Sequence, residues 1–179
     1  MRSDLYSELT QHLGVDVDPN LLALAFTHRS FAYESGAKET NERLEFLGDA
    51  VIENIIVSYL YRRYPDQREG FLSTMKVNFV NRITLGHLAK VIGLHEYLVI
   101  GRTLDDLQNA REEDKILCDI FEAFIAAIYL DFNNDKHGFL SSFISGAGYQ
   151  VAELFLINLL LFIKLLRFEG FIVLVKIFN

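Results

Sequence analysis

The chain has 179 residues, of which 51% are hydrophobic and 23% charged, and its formal net charge at pH 7 is −7. This length suits one domain of ordinary size, and the hydrophobic content is ample for a core, which excludes a disordered chain. The single cysteine, Cys118, excludes an internal disulfide, and we expect it to be a small core residue. The first twenty residues carry no apolar stretch behind a basic start, so no secretory signal is expected.

Hydrophobic spacing and helix-stop residues predict helices almost throughout the chain. Asp18 offers an N-cap with Pro19 at the first helical position, and Gly93 ends a later helix. No alternating strand pattern is present, so the expected fold class is all-α. The segments 100–114 and 131–148 are polar and are predicted to be mainly loops. The expected helices lie at about 5–12, from 20 onward, 44–61, 72–81, 83–92 and 116–130.

The last of these helices carries two unusual acids. From Ile116 to Leu130, every residue except Asp119 and Glu122 is apolar. A helix that is apolar all round is buried, and the i, i+3 spacing places both carboxylates on one face. Ionised acids are almost never fully buried alone, because the effective penalty is several kcal/mol per ion. Something cationic is therefore expected to face them.

Lys115, four residues before Asp119, is one candidate partner. A second acid pair, Glu45 and Asp49, borders the apolar arc of the helix at 44–61, so it is expected to look into a core-facing seam. If the pairs meet, one ammonium leaves net negative charge, and a divalent metal balances it better. Taken singly, each acid could instead be a solvated charge or an ion-pair partner.

The acids lie in longer strings that carry a family resemblance. Residues 41–51 read Asn-Glu-Arg-Leu-Glu-Phe-Leu-Gly-Asp-Ala-Val, after Thr-His-Arg-Ser at 27–30 and before Arg-Glu-Gly at 68–70 and Asp-Ile-Phe-Glu-Ala at 119–123. In this order they resemble the ribonuclease III endonucleases, the first string almost letter for letter. The resemblance covers about 20–131 and, more faintly, reaches about 160. A long match with three ordered companions is a strong signal.

The resemblance implies an all-α catalytic domain over residues 1–150. It implies a metal-dependent endoribonuclease that hydrolyses double-stranded RNA to 5′-phosphate and 3′-hydroxyl ends. Glu45, Asp49, Asp119 and Glu122 would be its catalytic acids and would hold Mg²⁺, with Mn²⁺ as a substitute. Such enzymes act as homodimers and recognise duplex RNA by A-form shape and 2′-hydroxyls more than by sequence.

Four further residues are assigned lesser roles. Glu42 and Glu69 match acidic positions of the family that support the site or the dimer, although a solvated surface charge explains each equally well. Lys115 is expected to support the site through Asp119. Phe46 points off the core arc of its helix, and the resemblance implies that it inserts into a pocket of the partner subunit.

Residues 151–179 are expected to form an apolar C-terminal helix and tail, where family members usually continue into a double-stranded-RNA-binding domain. The stretch 154–163 has no charged residue, but it is about half of the roughly 20 residues that span a bilayer. A last core helix is therefore expected and a membrane partner is not, with a membrane-surface anchor as the alternative. The expected location is cytoplasmic, with a nucleus or organelle left open.

Two functions from other classes remain open. One is a non-catalytic relative that binds structured RNA, and the other is an all-α nucleotide pyrophosphohydrolase, which also uses acid pairs. The net charge of −7 is awkward for any RNA-binding protein, because Lys and Arg supply most non-specific affinity for phosphates. Retention of all four acids argues against the first alternative, and nothing in the chain resembles the motifs of the second as closely.

Overall fold

The computed structural model describes residues 2–107, 109–133 and 147–165, with side chains at 5–107, 109–131 and 147–161. Within these ranges there is no strand, only an isolated parallel bridge between Thr27 and Val99, so the all-α prediction is confirmed. Short 3-10 turns lie at Leu94–Tyr97 and Ala110–Glu112. The α-helices are α1 (Arg2–Leu13), α2 (Pro19–Ala25), α3 (Arg29–Ser35), α4 (Glu42–Arg63), α5 (Glu69–Val80), α6 (Arg82–Val91), α7 (Arg102–Asp105), α8 (Asp114–Asn133) and α9 (Ala147–Leu165).

Capping residues and hydrophobic spacing predicted most helices, but they did not predict the break between α2 and α3. Asp18 Oδ1 accepts a hydrogen bond from the Asn20 backbone N–H at 2.7 Å, which is the predicted cap of α2. The chain after residue 20 nevertheless holds two helices, because Val99 N–H donates to Phe26 O at 2.8 Å and Val99 O accepts from His28 N–H at 2.9 Å. These long-range hydrogen bonds replace the helical hydrogen bonds that would otherwise join α2 to α3. Hydrophobic spacing within the segment does not predict them. The segment 100–114, predicted to be mainly loop, contains α7 and a 3-10 turn.

Helix α8 is the centre of the fold. Every residue from Ile116 to Tyr129 is buried, including both acids. Helices α2, α4, α6 and α9 pack around it, and the Phe124 ring contacts the rings of Phe26 and Phe155 at centroid distances of 6.2 and 5.6 Å. Burying one large apolar side chain stabilises the fold by about 1.5–3 kcal/mol, so the many buried side chains of α8 contribute a large share of the folding energy.

The predicted boundary at residue 150 falls inside α9. This helix packs on α8 and buries Ala152, Leu156, Leu159 and Leu160, as a last core helix would. The tail expected at 166–179 and the connection at 134–146 lie outside the described residues. In the part of the chain that the structure describes, no helix combines the length and hydropathy needed to cross a membrane.

Helices α4 and α8 touch through their backbones at Gly48. A Cβ built on Gly48 would lie 1.8 Å from the carbonyl oxygen of Glu122 and 2.5 Å from its carbonyl carbon. Real Cβ atoms do not approach backbone this closely, so only glycine allows the crossing. Because Gly48 lies beside Asp49 and three residues after Glu45, the contact brings the two acid-bearing helices together.

Substitution of Gly48 should therefore force the helices apart. We expect Gly48→Ala to lower the free energy of unfolding by at least about 1–3 kcal/mol, the usual cost of overpacking a core. The measurement is urea denaturation followed by circular dichroism. The matched control is Gly70→Ala in α5, where a Cβ meets nothing within 4 Å. Equal stability of Gly48→Ala and Gly70→Ala would contradict the backbone contact.

Candidate functional site

The two acids of α8 are buried and have different partners. Asp119 and Glu122 are each 8% exposed. Lys115 Nζ donates to Asp119 Oδ2 at 2.5 Å, so the lysine is in contact with Asp119, as the i, i+4 spacing allowed. Glu122 Oε1 accepts a hydrogen bond from Cys118 Sγ at 3.3 Å, a neutral donor. Within the described residues, no Lys or Arg forms an ion pair with Glu122, so its charge is poorly balanced.

The acids of α4 face those of α8 across the Gly48 crossing. Glu45 is half-buried and Asp49 is exposed. Burial raises the pKa of Glu122 to about 7, and the charges of Asp49, Glu45 and Asp119 push it the same way against the Cys118 hydrogen bond. Burial, with the charge of Asp119 added, also raises the pKa of Glu45. The structure thus places the four predicted acids within electrostatic reach of one another.

A small cavity of about 70 Å³ opens beside two of these acids. Its lining includes Asn41, which is 1% exposed and whose Nδ2 has no hydrogen-bond partner. An unpaired buried donor costs about 1–3 kcal/mol, so the wall of the cavity holds an uncompensated polar group. A larger groove of about 550 Å³ between α1, α6 and α9 is mainly apolar and contains none of the four acids. The small cavity is lined by His28, Arg29, Asn41, Glu42, Glu45, Lys115 and Asp119.

Besides Lys115, the other three residues of lesser role lie in different places. Glu42 is exposed but lines the cavity, where it accepts a hydrogen bond from Thr40 Oγ1 at 2.9 Å and lies 3.8 Å from an Arg29 nitrogen. Glu69 is exposed at the start of α5, accepts a hydrogen bond from Ser73 Oγ at 2.6 Å, and is not part of the cavity lining. Phe46 is 83% exposed on α4, as its position on the helix predicted.

Sequence reasoning assigned no site role to three residues of the cavity. Asn41, His28 and Arg29 lie in the strings that carry the family resemblance, which was the available signal. His28 Nδ1 accepts a hydrogen bond from Ser30 N–H at 3.2 Å and caps α3, which is a structural role. Burial, with Arg29 beside it, lowers the pKa of His28, so the ring is neutral at pH 7.

The cluster contains a group that could hold a metal ion. Donor atoms of Cys118, Asp119 and Glu122 all lie within 4.8 Å of one another. Burial, followed by the charge of Glu122, raises the pKa of the Cys118 thiol far above its usual range, so this cysteine is protonated and is not a nucleophile. Carboxylate oxygens dominate the donor set of the whole cluster, which is the chemistry that hard divalent cations prefer.

Comparison with known proteins agrees with this geometry. The sequence profile of the family described as Ribonuclease-III-like matches residues 18–145. The chain belongs to the ribonuclease-III-like family. It is 45% identical over 130 residues to Ribonuclease 3 from Leifsonia xyli and 41% identical over 129 residues to Ribonuclease 3 from Thermobifida fusca. These matches cover 73% and 72% of this chain but 54% and 53% of the relatives, so the chain spans about half the length of the curated relatives it matches.

A solved structure supports the same ribonuclease-III-like fold. The nuclease domain of Ribonuclease III from Campylobacter jejuni superposes with a TM-score of 0.71 at 31% identity, covering 84% of this chain and 92% of that domain. That structure is described as having a flexible region involved in dimer formation. The match extends over most of the described helices, which establishes the fold beyond the individual motifs.

The buried Glu122 gives this ribonuclease-III-like chain a measurable pH dependence. Its pKa rises from an ordinary 4.5 to about 7 in the folded protein, so its contribution to stability is present below pH 4.5 and is lost as pH rises through 7. One pKa unit corresponds to about 1.4 kcal/mol, so the loss is on the order of 3 kcal/mol. We expect the free energy of unfolding in chelator, measured in urea between pH 4.5 and 8, to fall more steeply for the parent than for Glu122→Gln. Parallel pH profiles would contradict the burial of a titrating Glu122.

Proposed function

We propose that this chain is a metal-dependent endoribonuclease that hydrolyses double-stranded RNA. The observation that supports the proposal is the electrostatic proximity of Glu45, Asp49, Asp119 and Glu122 near the α4–α8 crossing, with two of them buried and one lysine in contact. A folded protein gains nothing by concentrating four mutually repelling carboxylates unless a cation joins them. Family membership supports the same function.

The residues present fit a hard divalent cation, for which we propose Mg²⁺ with Mn²⁺ as a substitute. Four carboxylates would supply its oxygen ligands. Asn41 adds a second argument, because its side chain lines a cavity shared with Glu45 and Asp119 and its buried Nδ2 has no hydrogen-bond partner among the described residues. When bound, Mg²⁺ would activate a water and stabilise charge on the scissile phosphate and the leaving oxygen.

Other residues of the chain have supporting roles in the proposed reaction. The four acids hold the metal, and Lys115 holds Asp119 in place through its 2.5 Å hydrogen bond. Gly48 keeps the two acid-bearing helices at their working separation. Addition of water to phosphorus and cleavage of the bond to the 3′ oxygen leave a 5′-phosphate on one product and a 3′-hydroxyl on the other.

We further propose that the working unit is a homodimer with Phe46 in its interface. Phe46 is 83% exposed, and Val57 and Tyr61 are 45% and 72% exposed. These three residues and Ala50 share one face of α4 at helical spacing and form a mainly apolar strip, in which Glu53 is the charged member and pairs with Lys76. A two-fold interface uses each contact twice, which doubles the effect of each strip residue.

The test of function is cleavage of long duplex RNA with and without Mg²⁺. We expect Glu122→Gln to keep the fold, because the amide is nearly isosteric and relieves repulsion in the metal-free cluster. Substitutions around a metal ligand typically cost about 10–100-fold, so loss of the ligand itself should lower the rate by at least about 100-fold. The readout is the rate of product formation on a gel, with 5′-phosphate and 3′-hydroxyl ends identified enzymatically.

Glu112→Gln is the matched control, since it removes an exposed carboxylate that pairs with Lys90 at 2.7 Å outside the cluster. It should cleave at the parental rate. A parental rate in Glu122→Gln would remove Glu122 from the metal site. Mg²⁺-independent binding of duplex RNA without cleavage would indicate a non-catalytic binder, and hydrolysis of free nucleotides alone would indicate a pyrophosphohydrolase.

The dimer proposal has its own variant. Phe46→Ala should shift sedimentation toward the monomer and lower cleavage of both strands, because the most exposed ring of the α4 strip is lost. Tyr33→Ala removes an aromatic ring that is 85% exposed on α3, outside the strip, and should leave the oligomeric state unchanged. Equal sedimentation of the Phe46→Ala variant and the parent would remove Phe46 from the interface.

A further inference from the structure

Hydrogen bonds to the backbone determine which nitrogen of His28 carries the ring hydrogen. His28 Nδ1 accepts a hydrogen bond from the Ser30 backbone N–H at 3.2 Å and lies 2.8 Å from Ser30 Oγ. Ser30 Oγ itself accepts from the Gly101 N–H at 2.9 Å, which leaves its own hydrogen for Nδ1. Because two donors meet the single lone pair of Nδ1, that atom does not carry a hydrogen of its own.

The remaining nitrogen of the ring is a hydrogen-bond donor. A neutral imidazole without a hydrogen on Nδ1 carries it on Nε2. Burial lowers the pKa of His28, which keeps the ring neutral at pH 7. Within the ranges that the structure describes, Nε2 makes no hydrogen bond. The cap of α3 thus fixes the tautomer and leaves one N–H donor available.

His28 borders the cavity beside the acid cluster. The charged side chains that act on its ring are those of Arg29, Asp119, Lys115 and Glu42, and all four line that cavity. In total, two cations and three carboxylates line it, so a bound divalent cation would turn its net charge from negative to positive. A cavity with an excess of positive charge attracts a phosphate, whose oxygens accept hydrogen bonds.

We propose that His28 donates a hydrogen bond from Nε2 to a phosphate oxygen of the RNA strand and so contacts the substrate directly. This inference rests on the proposed function. A neutral donor suits this place, because an imidazolium would repel a divalent cation, whereas Nε2–H adds a hydrogen bond and no charge. Ser30 and Gly101 do not line the cavity, and they are positioning residues that fix the tautomer.

Two substitutions separate the roles of the two nitrogens. Asparagine places an acceptor near the position of Nδ1 and is a preferred N-cap, whereas glutamine places an N–H donor near the position of Nε2 and is not. We expect His28→Asn to keep the parental urea midpoint and to bind duplex RNA about 10–100-fold more weakly, the effect of one hydrogen bond to a charged group. His28→Gln should have a lower urea midpoint but should bind the duplex more tightly than His28→Asn.

Binding is measured by fluorescence anisotropy with a short duplex RNA. Ca²⁺, which also takes oxygen ligands, replaces Mg²⁺ under conditions where a gel shows no product. Ring nitrogen chemical shifts from nuclear magnetic resonance report the tautomer independently, and the Nε2–H signal of His28 should move when the duplex is added. His12→Asn, at the exposed end of α1, is the matched control and should keep the parental affinity.

The outcomes separate this inference from the proposed function. A ring hydrogen on Nδ1 in the parent would overturn the inference, and so would parental affinity in His28→Asn. Equal loss of affinity in His28→Asn and His28→Gln would also overturn it, because glutamine retains a donor. In each of these cases, cleavage of duplex RNA by the parent leaves the proposed function standing. Failure of the parent to bind or cleave duplex RNA would overturn the proposed function and the inference together.

Discussion

The backbone contact between α4 and α8 at Gly48 is the constraint on which the site depends. It lets a helix with two partly or fully exposed acids approach a helix with two buried ones more closely than any side chain would allow. Core burial around α8 supplies the energy for this approach, because α2, α4, α6 and α9 all pack on it. The hydrophobic core therefore brings together four carboxylates that repel one another. Repulsion among these carboxylates lowers the stability of the folded state at the site.

This charge explains the contrast between the neighbours of the acids. Lys115 partly neutralises Asp119, whereas Glu122 receives only a thiol hydrogen bond and has a pKa raised to about 7. Asn41, which lines the same cavity as Asp119, has a buried Nδ2 without a hydrogen-bond partner among the described residues. A divalent cation would balance the acids and would supply what phosphodiester hydrolysis needs. Stability without metal is thus lower than the core alone would allow, which is typical of sites that bind a charged cofactor.

The helical class and the burial of Asp119 and Glu122 could be predicted from the sequence, because the hydrophobic period and the apolar surroundings of these two acids are local properties of the chain. The partnership of Lys115 followed from i, i+4 spacing in the same way. The sequence could not predict features that depend on contacts between distant segments. The break between α2 and α3 depends on hydrogen bonds to Val99, and the cavity forms only when Asn41 and His28 pack near α8. The Cys118–Glu122 contact was within reach of the same spacing rule, but the cysteine was interpreted as core alone.

In the proposed site, one divalent cation lies among the carboxylates of α4 and α8. The most direct measurement is a crystal structure of the chain grown with Mn²⁺, with anomalous scattering recorded at the manganese edge. The account predicts an anomalous peak between the two helices, with carboxylate oxygens of Glu45, Asp49, Asp119 and Glu122 facing it directly or through bound water. A structure at saturating Mn²⁺ with no peak there, and with Lys115 alone opposing the acids, would contradict it.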